Sequence, residues 1–257
     1  MSEKKPKLGL FLFGIFGLLI VSVIVALYLG ATEETQESAP IEGQVTINEM
    51  RDYLAKMNQV IGERDMNSLD GQRALKQTAS MIEGTLGPMN LGYQVSRSAK
   101  QRAEGLLWKT LWIDSGNAES DEVILIVVPY GESGTPVAFA LGFAEYLTGM
   151  TFEKKLRLVF TPPVDTIPLK ERVLSEGETL VRQIDLRGGG EAPFWGEVSA
   201  GELEEIISAD ATWKEHFAVN QNEEMTIRLG ERGTLRTREH AAQILKTFPA
   251  VVSVLKE

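Results

Sequence analysis

Asp121 to Leu147 reads DEVILIVVPYGESGTPVAFALGFAEYL, and the order of its parts decides the fold class. Glu122 to Val128 is a continuous apolar run of strand length, as expected for a strand buried on both faces. Gly131 to Gly134 makes a loop. Thr135 and Pro136 then read as an N-cap and a proline at the first helical position. The helix that follows, VAFALGFAEYL, is apolar nearly all round and so belongs inside the core, ending at Gly149.

Upstream, Thr46 and Glu49 form a capping box that opens a helix whose apolar stripe is Ile47, Met50, Leu54, Met57 and Ile61. A second helix starts near Ser68, turns Leu75, Thr78, Ala79, Ile82 and Leu86 inward, and stops at Gly87-Pro88. Leu106 to Ile113 reads as one strand. Downstream, Lys155 to Thr161 and Thr179 to Leu186 are strands, the latter closed by a loop at Gly188-Gly189-Gly190. Glu202 to Ile207 reads as a short helix and Met225 to Leu229 as a strand. A last helix, from about Arg238, buries Ala241, Ile244, Leu245, Phe248, Val252 and Leu255, with Pro249 expected to kink it. Two helices followed by alternating strands and helices predict an α/β fold, a three-layer sandwich around a central mixed β-sheet, over residues 45–257.

The first 44 residues differ in character. Leu8 to Gly30 runs about 23 residues without a charge, about 34 Å as a helix, enough to cross a hydrocarbon core. Lys4, Lys5 and Lys7 precede it and Glu33, Glu34 and Glu37 follow, so the positive-inside rule keeps residues 1–7 cytoplasmic and sends the chain outward. A cleaved signal peptide also has a basic start. Here the run is too long, and Leu29 before Ala31 and Tyr28 before Gly30 make a poor cleavage pattern. Residues 8–30 are therefore expected to be a single transmembrane helix and residues 31–44 a polar, acidic tether.

The formal net charge is −10. Setting aside Glu3, Lys4, Lys5 and Lys7 leaves about −12 on the remainder, which argues against nucleic acid and anionic headgroups as partners. Cysteine is absent, so disulfides and thiolate metal sites are excluded. No Asn-x-Ser/Thr sequon occurs either, which favours a bacterial periplasm and an inner-membrane anchor over a eukaryotic lumen.

Sites in open α/β sheets lie beyond the carboxyl ends of the central strands. Those ends offer Tyr130, Glu132, Ser133, Asp165 and Asp185. Three carboxylates there could bind a hard cation or act as acid and base, although strand ends are also polar because they are exposed. Ser133 stands between buried strand and buried helix, as a nucleophile would, but Gly131-Glu132-Ser133-Gly134-Thr135 lacks the second glycine of a nucleophile elbow. His216 and His240 read as ordinary helix-surface and helix-end histidines before they read as ligands.

Between Ser68 and Leu186 the chain resembles the zinc-dependent aminopeptidase family that includes bacterial leucyl aminopeptidases and glutamate carboxypeptidases. NSLDGQRALKQTASMIEGTL (Asn67 to Leu86) is similar to the family's opening helix. Asp121 to Leu147 looks like its strand, metal loop and core helix, and LRLVFTPPVD (Leu156 to Asp165) like the strand ending in paired glutamates. TLVRQIDL (Thr179 to Leu186) falls where a strand ends in a ligand aspartate.

The resemblance implies five zinc ligands and a glutamate base, and most of them are missing. His-x-Asp is Pro129-Tyr130-Gly131 here; the bridging aspartate falls near Glu132; the paired glutamates fall on Val164 and Asp165; Asp185 matches the later aspartate. Leu229 to Thr237 (LGERGTLRT) contains no final histidine. The expectation is a membrane-anchored pseudopeptidase without cofactor. Its vestigial cleft would hold Tyr130, Glu132, Asp165 and Asp185, and its partner would be a membrane or periplasmic protein. Nicastrin and the attachment subunit of the glycolipid-anchor transamidase offer the analogy, at fold level only. Two alternatives are an active hydrolase using Glu132, Asp165 and Asp185 with a metal such as zinc, and a small-ligand binder in the same cleft.

Overall fold

The computed structural model describes residues 45–98, 101–103, 106–163, 168–190, 194–198, 217–219, 225–230 and 237–255. The expected transmembrane helix at 8–30, the tether at 31–44, Val164, Asp165, the helix at Glu202 to Ile207 and His216 lie outside them. No helix among the described residues is long and apolar enough to cross a membrane.

Helix α1 (Ile47–Ala55) opens on the predicted capping box: the Thr46 hydroxyl accepts the Glu49 N–H, and the Glu49 carboxylate accepts the Thr46 N–H. A π-helical turn (Lys56–Ile61) continues it. Helix α2 (Leu69–Leu86) is capped by Ser68 and buries Leu75, Thr78, Ala79, Ile82 and Leu86 as the periodicity required. Strands β1 (Ser96–Arg97), β2 (Gln101–Ala103), β3 (Leu106–Trp108) and β4 (Leu111–Gly116) follow. The single strand expected from Leu106 to Ile113 is thus two. β3 pairs with β2 as a separate hairpin, while β4 joins the main sheet. The break falls at Lys109, whose carbonyl accepts the Tyr130 hydroxyl and whose ammonium meets Glu83, so this residue is drawn out of the ladder.

Strand β5 (Glu122–Pro129) and helix α3 (Gly134–Tyr146) are the predicted buried pair. The helix begins earlier than expected, with Ser133 as N-cap in place of Thr135, its hydroxyl accepting the Thr135 N–H at 3.2 Å. Pro136 is still tolerated because first-turn N–H groups have no intrahelical acceptor. Strand β6 (Lys155–Thr161), the short helix α4 (Leu169–Val173), and strands β7 (Thr179–Gly190), β8 (Phe194–Val198), β9 (Phe217–Val219) and β10 (Met225–Gly230) lead to helix α5 (Thr237–Leu255). Gly188 to Gly190 do not form the expected closing loop. They extend β7 alongside β10, with a register shift between Leu229 and Gly230. Side-chain-free residues can stay in a ladder and still accommodate that irregularity. Pro249 sits within α5, which continues to Leu255.

Among the described residues the main sheet has eight strands, in the order β1-β4-β6-β5-β7-β10-β8-β9. Its centre, β6-β5-β7-β10, is parallel, and the β1-β4, β4-β6 and β10-β8 pairings are antiparallel. The mixed sheet is therefore as expected, but the layers are unequal. Ile124, Ile126 and Val128 face a large core shared with α1, α2, α3 and α5. Val123, Leu125 and Val127 face a small one with Val159 and Val173, where α4 is the only covering helix among the described residues.

That thin side carries an ionic cluster. Arg157, 3% exposed, donates to both Asp114 oxygens at 2.6 and 2.7 Å and to Glu178 at 2.6 and 3.1 Å. Lys155 donates to Glu178 at 2.7 Å, and the Ser175 N–H to the same carboxylate at 2.8 Å. Arg157 also reaches the Val173 carbonyl, which secures α4. Burial alone would raise the Glu178 carboxyl, but the hydrogen bonds from Arg157, Lys155 and Ser175 outweigh it and hold the pKa at about 2.

A carboxyl depressed on folding contributes stability above its unfolded-state value, and that contribution disappears as pH falls through the folded value. Unfolding free energy measured from pH 5 down to 2 is therefore expected to drop for the native chain. It should drop less steeply for Glu178→Gln; equal slopes would contradict the assignment.

Candidate functional site

The carboxyl end of β5 is the centre of the site. Pro129 is its last residue, paired with Thr161 of β6. A pyrrolidine nitrogen locked in a peptide has no lone pair for a metal, so this position supplies no ligand. Tyr130 does not line the cleft, as its place in the sequence suggested. It is fully buried in the core, its N–H donating to the Thr161 carbonyl at 2.9 Å and its hydroxyl to the Lys109 carbonyl at 3.1 Å. Burial pushes the phenol well above its usual range, so it stays neutral.

The chain then crosses two close contacts. A Cβ on Gly131 would lie 2.5 Å from Pro163 Cβ, and one on Gly134 would lie 2.2 Å from Asn58 Oδ1. Glycine at both positions lets the loop lie against Pro163 on one side and the π-helical turn on the other. Ser133 between them has its hydroxyl engaged as the α3 cap. Its chemistry here is that of a helix start.

Glu132 is exposed, and its backbone is held by a residue outside the family-like segments. Arg64, 8% exposed, donates to the Glu132 carbonyl from Nε at 3.3 Å and Nη2 at 2.9 Å. Its Nη1 reaches the Met57 and Gly62 carbonyls, each at 2.9 Å. One guanidinium thus ties the turn after α1 to the loop after β5. Nothing in the sequence periodicity marks Arg64 for this role, since an arginine between two helices reads as solvated.

Asp185 and Arg187 lie two apart on β7 and so share a face. The Arg187 Nη1 donates to Glu132 Oε1 at 2.9 Å and Nη2 to Asp185 Oδ2 at 3.4 Å. Gln183, on the same face, donates to Asp185 Oδ1 at 3.1 Å. The structure therefore brings together Glu132 and Asp185 of the four predicted cleft residues, with an arginine between them that the sequence reading passed over. Tyr130 is elsewhere, and Asp165 lies outside the described residues. His240 falls in the first turn of α5, and its side chain is not among those described.

Among the described residues no three His, Asp or Glu side chains gather as a metal site requires. The donor chemistry points the same way. Two carboxylates already accept from a guanidinium, and the strand-end position of a first imidazole is a proline. The described groups do not fit zinc.

In this setting the likenesses to known structures are informative about the fold. No protein-family model matches the chain, and no curated protein matches it. Solved structures do. A Bacteroides vulgatus protein assigned as a zinc-dependent exopeptidase superposes with TM-score 0.55 at 11% identity, over 85% of this chain and 99% of that one. A leucine aminopeptidase precursor from Bacteroides thetaiotaomicron gives 0.53 at 13% identity, over 85% and 99%. A glutaminyl cyclase from the same organism gives 0.54 at 14%, over 86% and 99%. The chain has the fold of zinc-dependent exopeptidases and glutaminyl cyclases. The aminopeptidase side of that likeness was legible from the segments quoted above; the cyclase side was not.

Proposed function

We propose that this chain is a membrane-anchored, extracytoplasmic pseudopeptidase that serves as a non-catalytic protein-binding or scaffolding subunit of a membrane complex. One observation carries the reading. The loop where this fold's peptidases start their metal site begins with Pro129 inside the sheet and Tyr130 buried on the Lys109 carbonyl. Neither can turn a nitrogen or a charged oxygen toward a metal without dismantling the core. The apolar run at Leu8 to Gly30 supports the anchor, and the flanking charges support an outward-facing domain in the inner membrane. The partner in this reading is another membrane or periplasmic protein.

The test is a turnover assay on the full chain in detergent. Aminoacyl-substrate hydrolysis and cyclisation of N-terminal glutamine are both measured, with and without added zinc. No turnover under any condition is expected. Turnover that Asp185→Ala abolishes would establish instead an active metal-dependent hydrolase with an atypical carboxylate site.

A further inference from the structure

The two described carboxylates of the candidate site are bridged by a cation that belongs to the chain itself. Glu132 and Asp185 come from different elements, and Arg187 donates one Nη to each. Their side chains are 47% and 15% exposed respectively, so the aspartate is the more sequestered charge and the more costly to leave uncompensated. A guanidinium suits this arrangement for three reasons. It stays protonated at every working pH, it is planar, and its two Nη groups diverge far enough to serve two separate acceptors.

Both acceptors are also placed in advance. Asp185 is fixed by strand pairing of β7 to β5 and β10. Glu132 is fixed by the hold of Arg64 on its carbonyl.

We infer that Arg187 is the resident cation of this site, joining the β5 loop to β7 where a divalent ion would otherwise be needed to hold two carboxylates together. The inference deepens the pseudopeptidase reading and rests on it. Its consequence is that the fold needs no metal to keep the site in order. A divalent ion requires direct oxygen contacts at roughly 2.0–2.6 Å. The lone pairs turned toward Arg187 are occupied by N–H donors.

The experiment is thermal unfolding of the full chain in detergent micelles, comparing native protein, Arg187→Gln, and Arg187→Gln with Asp185→Asn. The native midpoint is expected to be the same with EDTA, and the same with one equivalent of zinc or calcium. R187Q should melt roughly 2–4 °C lower, and adding D185N should recover most of that loss because it removes the uncompensated charge. Chelation that lowers the native midpoint, or zinc that raises it, would overturn the inference, as would R187Q melting like the native chain. A loss in R187Q that D185N does not relieve would assign Arg187 a packing role and overturn it too. Peptide turnover by the native chain is a separate outcome: it would end the pseudopeptidase reading whatever the melting curves show.

Discussion

Arg157→Leu is expected to destabilise the domain by about 3–5 kcal/mol, the range for removing one partner of a buried ion pair. Arg157 is 3% exposed and holds two carboxylates, Asp114 on β4 and Glu178 before β7, together with the Val173 carbonyl of α4. Leucine fills part of the volume but supplies no donor. Glu178, with its side chain only 6% exposed, would be left with Lys155 and the Ser175 N–H. Denaturant unfolding checks the magnitude. Asp114→Asn in the Arg157→Leu background should win back part of the loss, since that carboxylate loses both of its Arg157 hydrogen bonds while Glu178 keeps Lys155. A single variant within 1 kcal/mol of native, on the order of ordinary surface substitutions, would show that the cluster is solvated in solution.

Phe248→Ala should cost a similar amount, about 3–5 kcal/mol, for a different reason. Its ring is fully buried and meets Phe139 at 5.1 Å edge-on, Phe143 at 5.3 Å and Tyr146 at 5.4 Å. This cluster joins α3 to α5. Gly142 permits it: a Cβ there would lie 2.9 Å from Met50 Sδ and 3.4 Å from Phe248 Cζ. Truncation leaves a cavity walled by three rings that cannot collapse without moving a helix, and aromatic pairing adds to the loss. A midpoint lowered by roughly 10 °C is the expected reading. Phe248→Leu, which keeps more of the volume, should recover over half of it. Equal melting of F248A and native chain would mean that α5 does not dock as described.

The parts of the fold legible in advance share one property. Strand β5 and helix α3 are buried on all sides, so their composition alone reports their surroundings. Helices α1 and α2 announce themselves by capping residues and a single apolar stripe, both of them local signals. The misplacements have equally local causes. The false single strand over Leu106 to Ile113 came from apolar residues on both sides of Lys109 and Thr110, where nothing local shows that the Lys109 carbonyl accepts a bond from Tyr130. Gly188 to Gly190 look like a loop because glycine is rare in strands, yet β10 is present to pair with them. The thin second layer was likewise invisible, because a strand buried on both faces does not say what covers each.

At the candidate site the division is sharper. Sequence order alone placed Glu132 and Asp185 at the carboxyl ends of central strands, because parallel α/β topology brings every strand's carboxyl end to one edge. Tyr130 was misread because an amphipathic ring beside a cleft and one beside a core have the same sequence neighbours.

What the sequence determined by itself was the coarse order of the main elements and the mixed α/β class. These follow from burial periodicity and residue chemistry, which are properties of the chain. What only the tertiary structure decided was which charges meet. Arg64 holds the Glu132 loop from 68 residues away, and Arg187 reaches that glutamate across 55. Electrostatic partnership acts through space, and a charged side chain carries no sign in its own neighbourhood of the group that will face it.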